Sequence, residues 1–473
     1  MQKTKIDGLK GTIRGLETAI EVLLIAVAYY IVWHYCYEPG TFYAFAGKGK
    51  YLLTGVYVLL AIVIIYNYDG FQFGYLKLTD VLVSQVISFF IVNVITYFQL
   101  CLIANRMIPL LPMLLLLVMD AAIALICSFI YTKLYHRIYV PKNMVMIFGS
   151  RNAISLKFKM ETRSDKYRIA KLLPVDLGYE KICREIVHFD AVIINDVPAQ
   201  IRNDILKFCY ENELRTYVVP KLSDIIIQGG TSISLFDTPL ILVRGKGLNP
   251  MQRFWKRAFD LVLSAVVLVV ALPAMLIVAV AIKCEDGGPI LYKQNRVTRN
   301  AKVFKILKFR SMRVDAEKNG STAPAVKDDP RVTKVGKFIR ATRLDELPQL
   351  LNILKGDMSF VGPRPERVKN TKELMESIPE FGYRLKVKGG LTGYAQIYGK
   401  YNTSFYDKLR LDMMYIQNYS LLLDIKLILM TVRIILNKES TEGFNTEEEQ
   451  KRICDELRRQ NLSVDPEETV ATK

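Results

Sequence analysis

Residues 261–282 read LVLSAVVLVVALPAMLIVAVAI, an apolar run with Lys256, Arg257 and Asp260 before it and Lys283 after it. Its length matches the roughly 20 residues that a helix needs to cross a bilayer. Pro273 stands in its middle, and a proline inside a helix removes one backbone donor and crowds the preceding turn. Whether the run crosses or turns back decides the fold, because it fixes the side of the membrane on which everything after residue 283 lies. The next segment is strongly basic, which the positive-inside rule does not expect on the outer side. A re-entrant helix over 256–283, broken at Pro273 and returning to the face it entered by, removes the conflict.

Working back from this run, four others lie at about residues 18–37, 51–67, 81–103 and 107–132, each near spanning length, and predict four transmembrane helices within 1–140. Lys3, Lys5, Lys10 and Arg14 precede the first, and Lys133, Arg137 and Lys142 follow the fourth. The positive-inside rule therefore places both ends in the cytoplasm, and an even number of spans agrees. A cleavable signal peptide is not expected, since no small-x-small site follows the first run and three more runs come after it. Asp120 falls inside the fourth run, and its carboxylate is read as hydrogen-bonded to a neighbouring helix without catalytic duty.

Composition agrees with a membrane protein of several domains: the chain has 473 residues, 51% of them hydrophobic, with a formal net charge of +18. Anionic lipid headgroups and phosphorylated substrates account for the basic balance, and nucleic acid is not an expected partner. The 7 cysteines show no Cys-x-x-Cys spacing and the 3 histidines, His34, His136 and His188, are scattered, so neither a disulfide framework nor a zinc site is expected.

Between 141 and 250 short apolar runs alternate with polar helical stretches: Met144 to Phe148, Ala191 to Asn195, Thr216 to Val219 and Leu240 to Val243. This alternation predicts a small parallel α/β domain. The turn Gly149-Ser150-Arg151-Asn152-Ala153 supplies one glycine where a dinucleotide fingerprint wants three, so a Rossmann-like scaffold without a cofactor is the reading.

After 283 the chain becomes dense in charge, proline and glycine. In order come Gly287-Gly288-Pro289-Ile290-Leu291-Tyr292-Lys293-Gln294, Lys308-Phe309-Arg310-Ser311-Met312-Arg313, Asp328-Asp329-Pro330-Arg331, Arg343-Leu344-Asp345-Glu346-Leu347-Pro348-Gln349, Phe360-Val361-Gly362-Pro363-Arg364-Pro365-Glu366 and Gly390-Leu391-Thr392-Gly393-Tyr394-Ala395-Gln396. Taken together, these make 251–438 resemble the catalytic domain of the bacterial sugar transferases, the monotopic polyprenyl-phosphate sugar-1-phosphate transferases. The transmembrane and Rossmann-like preface resembles the long-form members. The departures are Gly389, after Lys388, where the family commonly has proline, Thr298 and Ala301 where glycines are frequent, and Leu272 where some members have serine.

Asp345 and Glu346 immediately precede a predicted helix beginning near Leu347, with Pro348 in its first turn. Two carboxylates there feel the positive end of the helix dipole and suit a divalent cation; an N-cap with a first-turn Glu is the alternative. The resemblance makes them the catalytic dyad. Asp345 is then the nucleophile that attacks the phosphorus bearing the sugar, and Glu346 binds Mg²⁺ or assists the incoming phosphate, with both residues as metal ligands. Arg364, fixed between two prolines, is a bidentate phosphate donor. Lys308, Arg310, Arg313 and Arg343 are further phosphate candidates, and Thr392, Gly393 and Gln396 are placed near the nucleotide-sugar.

The resemblance thus implies transfer of a sugar-1-phosphate from a UDP-sugar to undecaprenyl phosphate with release of UMP. The enzyme would be multi-pass in the bacterial inner membrane with its catalytic domain on the cytoplasmic face, opening assembly of an exopolysaccharide, capsule or O-antigen glycan; a homodimer is allowed. The catalytic domain is expected to be mainly α, with the apolar stretch Leu421 to Leu436 as an amphipathic interfacial helix and a polar tail over 439–473. Other classes fit less well: the chain has no Asp-x-Asp metal motif of a nucleotide-sugar glycosyltransferase and no P-loop, and a non-enzymatic sensor has no need of the carboxylates at 345 and 346.

Overall fold

A computed structural model describes residues 2–38, 47–74, 76, 78–139, 141–149, 153–235, 237–245, 247–314, 329–399 and 403–436. The polar tail, the Ser150-Arg151-Asn152 turn and Asp328 lie outside these residues. The chain divides into two compact units, Met1–Asn143 with Met160–Arg168, and Met144–Lys159 with Ile169–Lys473.

The first unit holds four long helices: α1 (Gln2–Val32, continued by a π turn over Trp33–Tyr37), α2 (Gly49–Asn67), α3 (Leu78–Ala104) and α4 (Leu111–Ile138). They share one core that includes Tyr29, Trp33, Tyr57, Phe89 and Leu116. Their outer faces are apolar, with Leu23 64%, Phe90 57% and Val118 66% exposed, whereas Glu21, Gln85 and Asp120 are fully buried. Apolar side chains outside and polar ones inside suit lipid rather than water. The two buried carboxyls find neutral partners: the Tyr57 hydroxyl donates to Asp120 Oδ2 at 2.6 Å, Asn93 Nδ2 faces that same oxygen at 3.5 Å, and Gln85 Nε2 donates to Glu21 Oε1 at 2.7 Å. Asp120 is thus bonded to neighbouring helices, as its reading required.

In the second unit a sheet of order β2-β1-β3-β4 comprises β1 (Lys142–Phe148), β2 (Tyr167–Pro174), β3 (Ala191–Asn195) and β4 (Arg215–Val218). β1 pairs in parallel with β3, and β3 with β4. Helices α5 (Ala153–Glu161), α6 (Tyr179–Ile186) and α7 (Ala199–Glu211) connect the strands. β3 is buried along its whole length, as strands covered on both faces require. One expected strand is reassigned. Leu240 to Val243 does not extend the parallel sheet, because Thr238–Leu242 (β6) folds back antiparallel on Thr231–Leu235 (β5). The connection between them is too short for a parallel crossover, and Asp237 turns it with a φ of 62°. The preceding helix α8 (Leu222–Gln228) buries Leu222 and Ile225 with Leu409 and Met413 of the helix Phe405–Gln417 in a core that Leu248 also joins.

The run that opened the sequence reading is α9, Pro250–Asp286. Asn249 starts it by a capping box: its Oδ1 accepts from Gln252 N at 2.7 Å, and Gln252 Oε1 accepts from Asn249 N at 2.9 Å. Pro250 follows in the first turn, and Gly287 closes the helix with a φ of 68°. The residues around Pro273 stay helical, so a change of direction there is a bend within the helix rather than an interruption of it. Proline removes a single donor, and the flanking turns keep theirs. Among the described residues five helices, α1 to α4 and α9, are long and apolar enough to cross a membrane. Both ends of α9 are held by residues downstream of it. Arg257 donates to the carbonyls of Ile353 and Leu354 at 2.6 and 2.7 Å, and Asp260 Oδ1 accepts from Ser359 Oγ and Phe360 N at 3.0 and 3.1 Å. At the other end Asp286 pairs with Arg310, and Glu285 accepts from Lys334 N at 2.8 Å.

Candidate active site

Three pieces of chain converge on one carboxylate. The first is the hairpin β7 (Leu291–Val297) and β8 (Val303–Phe309), antiparallel with Tyr292 opposite Lys308. The second follows α10 (Lys334–Ala341), where Arg343 takes a left-handed φ of 58°, a strained choice for a side chain other than glycine. The turned chain enters a single 3₁₀ turn, Leu344–Glu346. Pro348 then caps α11, Gln349–Lys355, so the two carboxylates lie in the 3₁₀ turn just ahead of the helix. The third piece is Pro363-Arg364-Pro365, reached from β9 (Ser359–Val361), which pairs in parallel with β10 (Gly390–Thr392).

Lys308 Nζ donates to Glu346 Oε1 at 2.7 Å, and Arg364 donates to the same oxygen at 3.4 Å. Asp345, 8% exposed, stands 3.9 Å from Lys308 Nζ and has no side-chain hydrogen bond among the described residues. The two carboxylates are driven apart as a result. Burial raises the Asp345 carboxyl above its ordinary range, with Lys308 opposing. Burial also pushes Glu346 up, but the Arg364 and Lys308 charges outweigh it and bring the group to about 2. Neighbouring carboxylates with opposed environments take different chemical roles: Glu346 is a fixed, compensated anion, and Asp345 is left uncommitted.

The other expected residues are placed as follows. Arg310 is 7% exposed and committed to Asp286, while Arg313 and Arg343 are exposed; the Arg343 charge still lowers both carboxyls. Thr392 Oγ1 shares a hydrogen with Thr431 Oγ1 at 2.6 Å, and Gln396 Nε2 donates to Leu391 O at 3.0 Å. At Gly390 and Gly393 an added Cβ would strike the Gly362 backbone, so these glycines let β9 and β10 close on each other. Among the described residues no three His, Cys, Asp or Glu side chains group as a metal site. Magnesium commonly takes one or two carboxylates, with phosphate and water oxygens completing its shell, and the Asp345–Glu346 pair fits that donor set.

Sequence reading missed the supports of Arg364. Arg384 and Asp412, 5% and 1% exposed, form a buried pair at 2.8 Å, and Arg296 crosses from β7 to the Pro365 carbonyl at 3.1 Å. Thr298, one of the departures, accepts from Gly389 N at 3.0 Å and donates to Asp357 O at 3.0 Å.

Comparison with known proteins is consistent with this geometry. A bacterial sugar transferase profile matches residues 251–438, the stretch that supplies every residue of the site. A UDP-glucose:undecaprenyl-phosphate glucose-1-phosphate transferase of Klebsiella pneumoniae is 37% identical over 248 residues, 51% of each chain, so this chain spans about half the length of that relative. A UDP-N-acetylgalactosamine-undecaprenyl-phosphate N-acetylgalactosaminephosphotransferase of Aeromonas hydrophila is 33% identical over 326 residues, 66% of this chain and 71% of its own. The exopolysaccharide production protein ExoY of Sinorhizobium fredii is 38% identical over 199 residues, 39% of this chain and 87% of its own. With relatives 33% and 38% identical matched over 71% and 87% of their own length, the chain belongs to the bacterial sugar transferase family.

Proposed function

We propose that the protein transfers a sugar-1-phosphate from a UDP-sugar to undecaprenyl phosphate through a covalent aspartyl intermediate, as the first step in building a surface glycan. The observation that carries this reading is the division between an uncommitted Asp345 and a Glu346 held by Lys308 and Arg364. An Asp345 oxygen attacks the sugar-bearing phosphorus, the bond from that phosphorus to the bridging oxygen breaks, and UMP leaves with the electron pair. A lipid phosphate oxygen then attacks the same phosphorus, the acyl phosphate bond breaks, and Asp345 is regenerated with undecaprenyl-diphosphate-sugar as product. Lys308 and Arg364 keep Glu346 ionised and offset phosphate charge during both steps. Magnesium, held by Asp345 and Glu346 oxygens with substrate phosphates, would add neutralisation of the non-bridging oxygens.

The same reading places the catalytic domain on the cytoplasmic face of the inner membrane, with α1 to α4 spanning and α9 re-entrant. The hold of residues 310–360 on both polar ends of α9 supports re-entry, since the ends of a full crossing would be separated by the roughly 30 Å hydrocarbon layer. Cysteine labelling near Lys256 and Lys293 tests this: access from opposite sides rules re-entry out.

The reaction is tested by incubating purified protein with a panel of UDP-sugars and undecaprenyl phosphate and scoring UMP. The relatives differ in sugar, glucose in one and N-acetylgalactosamine in another, so the panel includes both. Given UDP-sugar without lipid acceptor, the peptide containing Asp345 should gain the mass of a sugar phosphate on rapid quenching. Release of free sugar phosphate with no UMP from any donor would overturn the proposal.

A further inference from the structure

The turn that carries Arg364 has four consecutive carbonyls, and together they accept hydrogen bonds from three different segments. Gly390 N donates to Pro363 O at 3.0 Å, Arg384 donates to Arg364 O at 3.0 Å, Arg296 donates to Pro365 O at 3.1 Å, and Val297 N donates to Glu366 O at 3.0 Å. Two of the four donors are guanidinium groups spent on backbone, which is costly for buried charge unless something compensates it. For Arg384 the compensation is Asp412, which accepts from Nε at 2.9 Å and from the second nitrogen at 2.8 Å. The Phe381 ring lies under the guanidinium, 4.7 Å from its carbon. Glu366 adds a weaker contact at 4.0 Å, and Lys408 lies near enough for its charge to be felt by the same acids. On the opposite flank the turn meets Gly389, where an added Cβ would stand 3.0 Å from Pro365 Cβ.

We infer that Arg384, fixed by Asp412, is a positioning residue of the phosphoryl transfer: it clamps the Arg364 carbonyl and so aims the Arg364 guanidinium at Glu346 and the substrate phosphates. The inference rests on the transferase reading above and names a function for a pair remote from the dyad in sequence. Neither Arg384 nor Asp412 touches Asp345 or Glu346, so their effect on turnover passes through Arg364. Coupling through one shared partner has a signature that general stabilisation lacks, namely non-additivity.

The test is a double-mutant cycle on UMP release by the full-length protein in detergent, using the UDP-sugar the wild type accepts. Arg384→Lys keeps the charge and loses the forked geometry, and is expected to lower kcat/KM between about tenfold and a hundredfold, as small misplacements of a positioned group do. In an Arg364→Ala background the same substitution is expected to cost less than about threefold. Asp412→Asn, which keeps the shape and one acceptor, should repeat the pattern and serves as the probe if Arg384→Lys does not fold. Losses that multiply in the double variant, or a fully active Arg384→Lys, would overturn the inference while leaving the transferase reading intact. A wild type inactive on every donor would bring down both.

Discussion

Two sets of buried carboxylates in this protein, one among the apolar helices and one at the Asp345–Glu346 pair, have opposite kinds of partner. Among the apolar helices α1 to α4, Asp120 and Glu21 face a tyrosine hydroxyl and carboxamides. In the second unit, Glu346 faces a lysine and an arginine. Neutral donors satisfy a carboxyl group's hydrogen bonds without requiring its charge, whereas cations require it. The contrast separates carboxylates whose partners leave the charge optional from those whose partners require it, and it does so by partner rather than by burial.

The sharpest way to break the comparison is to neutralise one carboxylate in each place. Asp345→Asn should reduce UMP release by at least about a thousandfold, the scale of losing an attacking group, with an unchanged melting temperature. Asp120→Asn should leave UMP release at the wild-type level. Substantial turnover by Asp345→Asn, or loss of turnover by Asp120→Asn in a folded protein, would erase the distinction.

A second test uses acid. The Glu346 carboxyl is lowered from 4.5 to about 2 in the folded protein, so it contributes stability above its unfolded value and loses that contribution as pH falls from about 4.5 towards 2. The contribution corresponds to about 3 kcal/mol. Thermal denaturation in detergent across that window should show a steeper acid loss for wild type than for Glu346→Gln, and parallel curves would show that Lys308 and Arg364 do not hold the charge.

The smallest effect belongs to the helix-joining pair. Tyr57→Phe removes the 2.6 Å bond to Asp120 and should cost about 1 to 2 kcal/mol of stability, read as a lower melting temperature with normal turnover. No measurable shift would mean that Asn93 alone suffices.

What the sequence disclosed follows the range of each signal. Three strands of the parallel sheet are local patterns and stand where the pattern placed them; Asp345-Glu346 and the proline-bracketed arginine are local patterns too, and Arg364 donates to Glu346. Arg384 and Asp412 are 28 residues apart in the chain, and Arg296 reaches Pro365 across 69; no spacing rule joins such partners. β2 was missed because Tyr167–Pro174 carries Arg168 and Lys171 among its apolar residues without a period-two alternation. Arg310 reads as a phosphate ligand from its motif, yet Asp286 at the end of α9 claims it. The boundary expected near 250 is also a matter of range, since Leu222, Ile225 and Leu248 join the core of the catalytic segment. A protein beginning at Pro250 should therefore keep the chemistry and lose several kcal/mol of stability, about 1.5 to 3 for each large side chain removed. One beginning near Val219 should recover most of it, and equal melting temperatures for the two would show that α8 contributes nothing.

The bond from Asp260 to Ser359 and Phe360 ties the apolar helix α9 to the strand that leads into Arg364. If α9 lies in the bilayer as proposed, that bond makes the helix a ruler. The height of the reactive groups above the lipid is then set from below, by the helix itself, and need not be read from the headgroups. A polyprenyl phosphate, whose own phosphate floats at the level of the bilayer surface, would meet a site already registered to that level.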